Sequence, residues 1–304
     1  MQIVDLETAD ITCRTALALG YFDTFHRGHQ RLLDIVLDSE YAPAMFTFAG
    51  NLYAALGKTT KPVFSEERRM RYAESCGIRY VVTMPADRAH LDLSPEAFFE
   101  LLLRVNPAVI AVGQDFRFGK DAAGDVVMLE RLCHSHHILL RVQKVVLDCT
   151  HSKIGTYSIR RAVQSGNMRV IKKWMGRYYS VEGVVEHGRG MGQSIGIPTA
   201  NFRLDTDVVT PCEGVYAAYA QIGMRRYRAV CSIGGHPTVG DMRVNVETYI
   251  LDFSRTIYGC RLEVLLVHRL RDIIQFDSVD ALRVQIENDI RMTENILNNV
   301  RFYD

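Results

Sequence analysis

Residues 15–30 read Thr15-Ala16-Leu17-Ala18-Leu19-Gly20-Tyr21-Phe22-Asp23-Thr24-Phe25-His26-Arg27-Gly28-His29-Gln30, and Leu32, Leu33, Ile35 and Val36 follow. An uncharged run gives way to a loop opened by glycine, and the loop to apolar positions at helical spacing. The stretch therefore predicts strand, loop and helix in that order. Strand-like runs recur at 44–48, 80–84, 108–112 and 138–142, with amphipathic segments between them. Two helix starts are explicit: Ser65-Glu66-Glu67 supplies a cap and first-turn acids, and Ser94-Pro95-Glu96 supplies cap, proline and acid in the preferred order. Such β/α alternation predicts a Rossmann-like parallel sheet covered on both faces, with ligands bound beyond the carboxyl ends of its strands.

Past Trp174 the pattern changes. Residues 179–186, 215–222, 227–233, 244–251 and 262–270 are strand-like with no helical period between them, which predicts an antiparallel β-barrel or sandwich. A terminal helix follows, capped by Ser278, with Asp280 in its first turn and Leu282, Ile286, Ile290, Leu297 and Val300 near one face. The 304 residues thus divide into two expected domains, 1–178 and 179–304.

Lys and Arg total 36 against 35 Asp and Glu, so bulk charge supports neither a nucleic-acid grip nor an anionic-membrane patch, and small molecules are the expected partners. Oligomeric state has no signature here. The seven cysteines are scattered, with no Cys-x-x-Cys pair and no disulfide framework. The acidic N-terminus and the lack of any long apolar run predict a cytoplasmic chain without membrane spans. His134, His136 and His137 end a predicted helix, where cations favour the dipole, and are read as structural.

At the helix mouth after the first strand, unpaired N–H groups and a positive dipole end favour an anion, and His26 and His29 are spaced to donate to one phosphate beside Gly28. The plainer reading is that both histidines are turn and capping residues. No Walker-type lysine accompanies them, so charge developing at an α-phosphorus is the better match. Gly20, Phe22, Asp23, His26, Gly28 and His29 together resemble the signature of HIGH-type nucleotidyltransferases, which implies transfer of a nucleotide monophosphate with release of pyrophosphate. Val112-Gly113-Gln114-Asp115-Phe116-Arg117-Phe118-Gly119 resembles a loop of the bacterial bifunctional riboflavin kinase/FMN adenylyltransferases. That resemblance implies an N-terminal nucleotidyltransferase domain in which Gly113, Asp115, Phe116, Phe118 and Gly119 surround a flat ring. It also puts Arg160 on the nucleotide phosphates. Two departures stand out: Ala49-Gly50-Asn51 where the family carries Asp and Pro, and Gly155-Thr156-Tyr157 where it carries Ser-Ser-Thr.

The second constellation is Gly188, Gly190, Gly192 and Gly196 leading into Ile197-Pro198-Thr199-Ala200-Asn201. Four glycines in nine residues suit a backbone cradle for phosphate, and Thr199 and Asn201, two apart in an extended segment, offer neutral oxygens to Mg²⁺ from one face. This run is similar to the riboflavin kinase signature, which implies that the barrel binds ATP with Mg²⁺ and that Glu247 is the base for the ribityl hydroxyl. The resemblance also sets Arg271 and Phe276 at the flavin side. The expected reactions are riboflavin to FMN in the barrel and FMN to FAD in the N-terminal domain. Two alternatives stay open: a kinase whose N-terminal domain is weakened or takes another acceptor, and a flavin-sensing regulator without catalysis.

Overall fold

Six parallel strands form the first sheet of the computed structural model, which describes residues 1–188, 196–234 and 244–299. They are β1 (Gln2–Asp5), β2 (Thr15–Leu19), β3 (Ala42–Ala49), β4 (Tyr80–Pro85), β5 (Pro107–Gly113) and β6 (Leu139–Gln143), in the order β1-β4-β3-β2-β5-β6. Alternate residues serve opposite faces, as strand geometry requires. Leu17, Leu19, Phe46, Val82 and Ile110 pack with Phe98, Phe99 and Leu102 of α5 (Pro95–Leu102) and Leu129 of α6 (Val126–Ser135). Ala16, Ala18, Met45, Val81 and Ala111 pack with Leu32, Leu33 and Val36 of α1 (Arg27–Leu37) and with Met70 and Ala73 of α3 (Glu66–Ser75). Ser65 and Ser94 cap as expected, accepting from Arg68 N at 3.3 Å and Ala97 N at 3.1 Å.

The strand order reverses between β2 and β5, which pair in parallel. Their carboxyl ends therefore lie side by side, and the loops leaving them diverge to open a crevice. Both N-terminal motifs leave from this point. The edge strand β1 went unseen in the sequence, because four residues with exposed side chains carry no periodicity.

The second sheet is antiparallel. It contains β7 (Tyr179–Val184), β8 (Ala200–Arg203), β9 (Gly214–Ile222), β10 (Arg225–Gly234), β11 (Asn245–Ile250) and β12 (Arg261–Arg271), in the order β7-β12-β9-β10-β11-β8. The sheet curls until its two edges meet, where Glu186 N donates to Asn201 O at 2.8 Å just beyond β7. Closure brings β7 onto β8 so tightly that a Cβ at Gly183 would sit inside the Phe202 ring. The terminal helix Val279–Asn298 is capped by Ser278 and covers the barrel wall through Ile290, Ile296 and Leu297. Val300 lies outside the described residues.

By internal contacts the chain divides into Met1–Ser158 and Ile159–Asp304, earlier than the 178/179 division expected from the sequence. Helix α8 (Met168–Met175) packs on β7 and β12, so most of the segment 159–178 goes with the barrel although its periodicity is helical. Among the described residues, no helix is long and apolar enough to cross a membrane.

Candidate functional site

The capping and functional readings of His26 meet in one geometry. His26 is the N-cap of α1, and its Nδ1 accepts from Gly28 N at 3.1 Å and His29 N at 3.2 Å. An accepting Nδ1 leaves the ring proton on Nε2, so the cap fixes the tautomer of the ring at the helix N-terminus. His29 stacks on this ring with centroids 3.8 Å apart, and the Phe22 ring lies 5.0 Å from that of His29. A Cβ at Gly28 would lie 2.9 Å from His26 Cε1, so the glycine makes room for the capping ring.

Two residues expected at the ligand stand one layer back. Phe22 is fully buried in the layer beneath α1, with a left-handed φ of 50°. Strain of this kind in a bulky residue persists only where packing over-determines it. Asp23 is also buried: its Oδ1 accepts from Val63 N at 2.8 Å and Phe64 N at 3.1 Å, and its Oδ2 from the Tyr53 hydroxyl at 3.1 Å. Its carboxylate thereby ties the 53–64 segment to the histidine loop. Beside it, Arg69 lies buried over the Tyr21 ring and donates to Tyr21 O at 2.8 Å and Thr47 Oγ1 at 2.9 Å.

Beyond the carboxyl ends of these strands lies a cavity of about 570 Å³. Gly20, Asp115, Phe116, Phe118 and Gly119 are among the residues that line it. Phe116 and Phe118 stack with centroids 5.8 Å apart, and Phe98 adds its ring 5.9 Å from that of Phe118. Gly119 is required twice over, by a φ of 72° and because a Cβ would lie 2.7 Å from the Pro95 backbone. Gly113 sits behind Asp115, whose carboxylate is paired with Lys153. Lys58, Arg88 and His90 also reach the cavity and were missed, since no motif surrounds them, and Arg117 of the 112–119 loop joins them. Near the departure at Ala49, Glu66 brings a carboxylate from α3, accepting from Gly50 N at 2.6 Å. Arg160 is buried on α7 (Thr156–Gln164), grouped with the second unit.

In the barrel, Asn201 on β8 stands directly opposite Glu247 on β11. Opposite residues of an antiparallel ladder share a face with Cβ atoms about 5 Å apart. Asn201 Nδ2 donates to Thr199 O and Oγ1, both at 3.1 Å, which fixes the amide and leaves its oxygen directed elsewhere. Glu247 Oε1 accepts from Asn245 Nδ2 at 2.9 Å. Gly188 allows the Asn201 amide onto its backbone, where a Cβ would lie 2.6 Å from Nδ2. Gly196 has a φ of 78°, while Gly190 and Gly192 lie outside the described residues. A cavity of about 490 Å³ is lined by Pro198, Thr199, Phe253, Arg255 and Tyr258, and His187 stacks on Tyr258 at 3.9 Å. Ala200 and Thr248, one step along each strand from Asn201 and Glu247, line this cavity.

Arg271 departs from expectation. Its Nε donates to Asp289 Oδ1 at 3.0 Å and its Nη2 to Oδ2 at 2.7 Å, and Gln285 Nε2 adds 3.0 Å to Oδ1. The guanidinium is engaged by a buried carboxylate of the terminal helix, an anchor that no local pattern announces. Phe276 is half-buried in the loop before that helix. None of the seven cysteines forms a disulfide, and burial pushes the Cys133 and Cys231 thiols up to about 12, outside the range of reactive thiolates.

The FAD synthetase family model matches residues 8–156 and the riboflavin kinase family model residues 175–297. A bifunctional riboflavin kinase/FMN adenylyltransferase of Escherichia coli K12 is 30% identical, covering 90% of this chain and 90% of that protein. The Haemophilus influenzae protein of that name is 29% identical over 93% of this chain and 94% of its own length. A crystal structure described as a macrolide-efflux protein from Streptococcus pneumoniae superposes with a TM-score of 0.88 at 28% identity, covering 97% of this chain and 99% of that one.

Proposed function

The chain belongs to the bifunctional riboflavin kinase/FMN adenylyltransferase family, and on that premise we propose that it phosphorylates riboflavin with ATP in the barrel and adenylylates FMN to FAD in the α/β unit. The observation that carries this reading is the pairing of Glu247 with Asn201 across β11 and β8. Phosphoryl transfer needs positioned phosphates and one group to orient and deprotonate the hydroxyl, with no covalent intermediate. Glu247 is that group for the ribityl 5′-hydroxyl. Once the Asn201 amide turns from the hydrogen bonds that its nitrogen donates to Thr199, its oxygen and Thr199 Oγ1 offer a neutral hard-oxygen pair of the kind magnesium accepts while keeping waters and phosphates. Magnesium, when bound, neutralises phosphate charge.

In the α/β unit the α-phosphate of ATP sits at the N-terminus of α1. His26 Nε2 and His29 stabilise the charge that develops there as the FMN phosphate attacks and pyrophosphate leaves. The flat isoalloxazine fits between the phenylalanines of the 570 Å³ cavity, with Lys58, Arg88 and Arg117 as cations for its phosphate. Both substrates are soluble metabolites, which fits a cytoplasmic enzyme.

Incubation with riboflavin, ATP and Mg²⁺, with chromatographic separation of the three flavins over time, tests both steps. FMN should rise first and FAD follow. Unchanged riboflavin would overturn the kinase assignment. FMN that accumulates without FAD would favour the second reading, a kinase with a weakened N-terminal domain, for which the departures at Ala49 and Gly155 speak.

A further inference from the structure

A charged cluster assigned to neither reaction borders the first cavity. Helix α4 (Arg88–Leu91) has Asp87 as its N-cap, and Asp87 Oδ1 accepts from His90 N at 3.1 Å and lies 2.6 Å from His90 Nδ1. On the other side of the ring, His90 Nε2 faces Glu7 Oε1 at 3.5 Å. Glu7 belongs to the turn after β1, where its N–H donates to Asp5 Oδ1 at 2.8 Å. The imidazole therefore bridges two carboxylates from segments far apart in sequence, with only 14% of its side chain exposed. Arg88, His90, Leu91 and Asp92 all line the cavity. A helix of one turn does not hold its place by its own hydrogen bonds. Its ties to other segments include the Ala86 N to Ala49 O bond at 2.9 Å, the Lys120 N to Leu93 O bond at 2.7 Å, and the His90 bridge.

We propose that protonated His90 is a positioning residue that fastens this wall of the acceptor cavity, so that FMN binding for adenylyl transfer weakens as pH rises while riboflavin phosphorylation does not. The inference rests on the reading that this cavity takes FMN. With both ring nitrogens facing carboxylates, only the doubly protonated imidazole donates to both. When it is neutral one bond is lost, and the longer one to Glu7 is the one released. Burial of the ring works against its charge, but the hydrogen bonds it donates to Asp87 and Glu7 outweigh that and lift the imidazole above its ordinary value. Asp87 is in turn held below the usual carboxylate range by the side-chain and backbone hydrogen bonds from His90. The bridge is thus complete below the ordinary histidine value and is lost as pH rises through the raised one. Asp87 and Glu7 face the ring itself, and the other charged groups lining the cavity are Arg88 and Asp92 of the same segment and Lys58, Asp115, Arg117 and Asp121 of the other walls.

The test is the KM for FMN in FAD formation, measured from about pH 6.5 to about pH 9 for the wild type, His90→Gln and Glu7→Gln, with the KM for riboflavin in the kinase reaction as control. The wild type should show an FMN KM rising about fivefold with little change in kcat, while His90→Gln stays at the high value throughout. In Glu7→Gln the rise should move to lower pH. Identical pH dependence in the wild type and His90→Gln would overturn the inference and leave the cavity's assignment standing. No FAD at any pH would instead overturn that assignment. In that event amide exchange of residues 87–93, corrected for its intrinsic rate, decides the tie alone. Protection that falls with pH only in the wild type supports it, and equal behaviour of both proteins overturns it.

Discussion

The two candidate sites are built on opposite plans. In the α/β unit the chemistry sits on loops, and the sheet supplies only their starting points at β2 and β5. In the barrel, Glu247 and Asn201 are themselves strand residues held face to face by the hydrogen-bond ladder. Loop chemistry therefore needs a supporting layer, which Phe22, Asp23 and Arg69 provide, whereas ladder chemistry takes its precision from backbone pairing. The first plan should fail through its supports and the second through its reacting side chains.

The largest effect is expected at the ladder. Glu247→Gln keeps the shape but removes the base, and riboflavin phosphorylation should fall by about 10²- to 10⁴-fold while FAD formation from supplied FMN is unchanged. Unchanged kinase turnover would reopen the non-catalytic reading. Arg271→Met should leave Asp289 buried and uncompensated, lowering stability in a denaturant melt by about 3–5 kcal/mol. Paired with Asp289→Leu the loss should largely disappear; if the double substitution instead raised only the KM for riboflavin, Arg271 would be a ligand after all. His29→Asn should lower FAD formation by about 10²- to 10³-fold and leave the kinase untouched.

The supports should give the smallest effect. Asp23→Asn retains the acceptor for Val63 and Phe64 and should alter the KM for FMN little. Asp23→Ala frees both amides, costs about 1–3 kcal/mol in a thermal melt, and should raise that KM with little change in kcat. A kcat loss as large as that of His29→Asn would return Asp23 to the reacting layer.

The sequence made the fold legible wherever the information was local. Apolar runs marked the four inner strands and β6 of the first sheet, and Ser65, Ser94 and Ser278 announced their caps within three residues. The cavity-lining phenylalanines and the histidine pair were legible for the same reason. What stayed hidden depends on distant partners. Nothing near Arg271 points to Asp289, nothing near Asp23 points to residues 53–64, and His90 acquires meaning only when the first turn of the chain comes to rest beside it. The motif around residues 20–29 marks a candidate loop, yet it does not separate side chains placed to meet a ligand from those that hold the loop up.

The face-to-face placement of Glu247 and Asn201 has an evolutionary corollary. Side chains in a strand alternate, so slipping β8 by a single residue would exchange Asn201 for a neighbour aimed at the other surface. The connection 205–213 is free to vary in length, but one extra residue within either strand turns the carboxylate's partner away. Parity, more than spacing along the chain, decides which descendants of this barrel remain kinases.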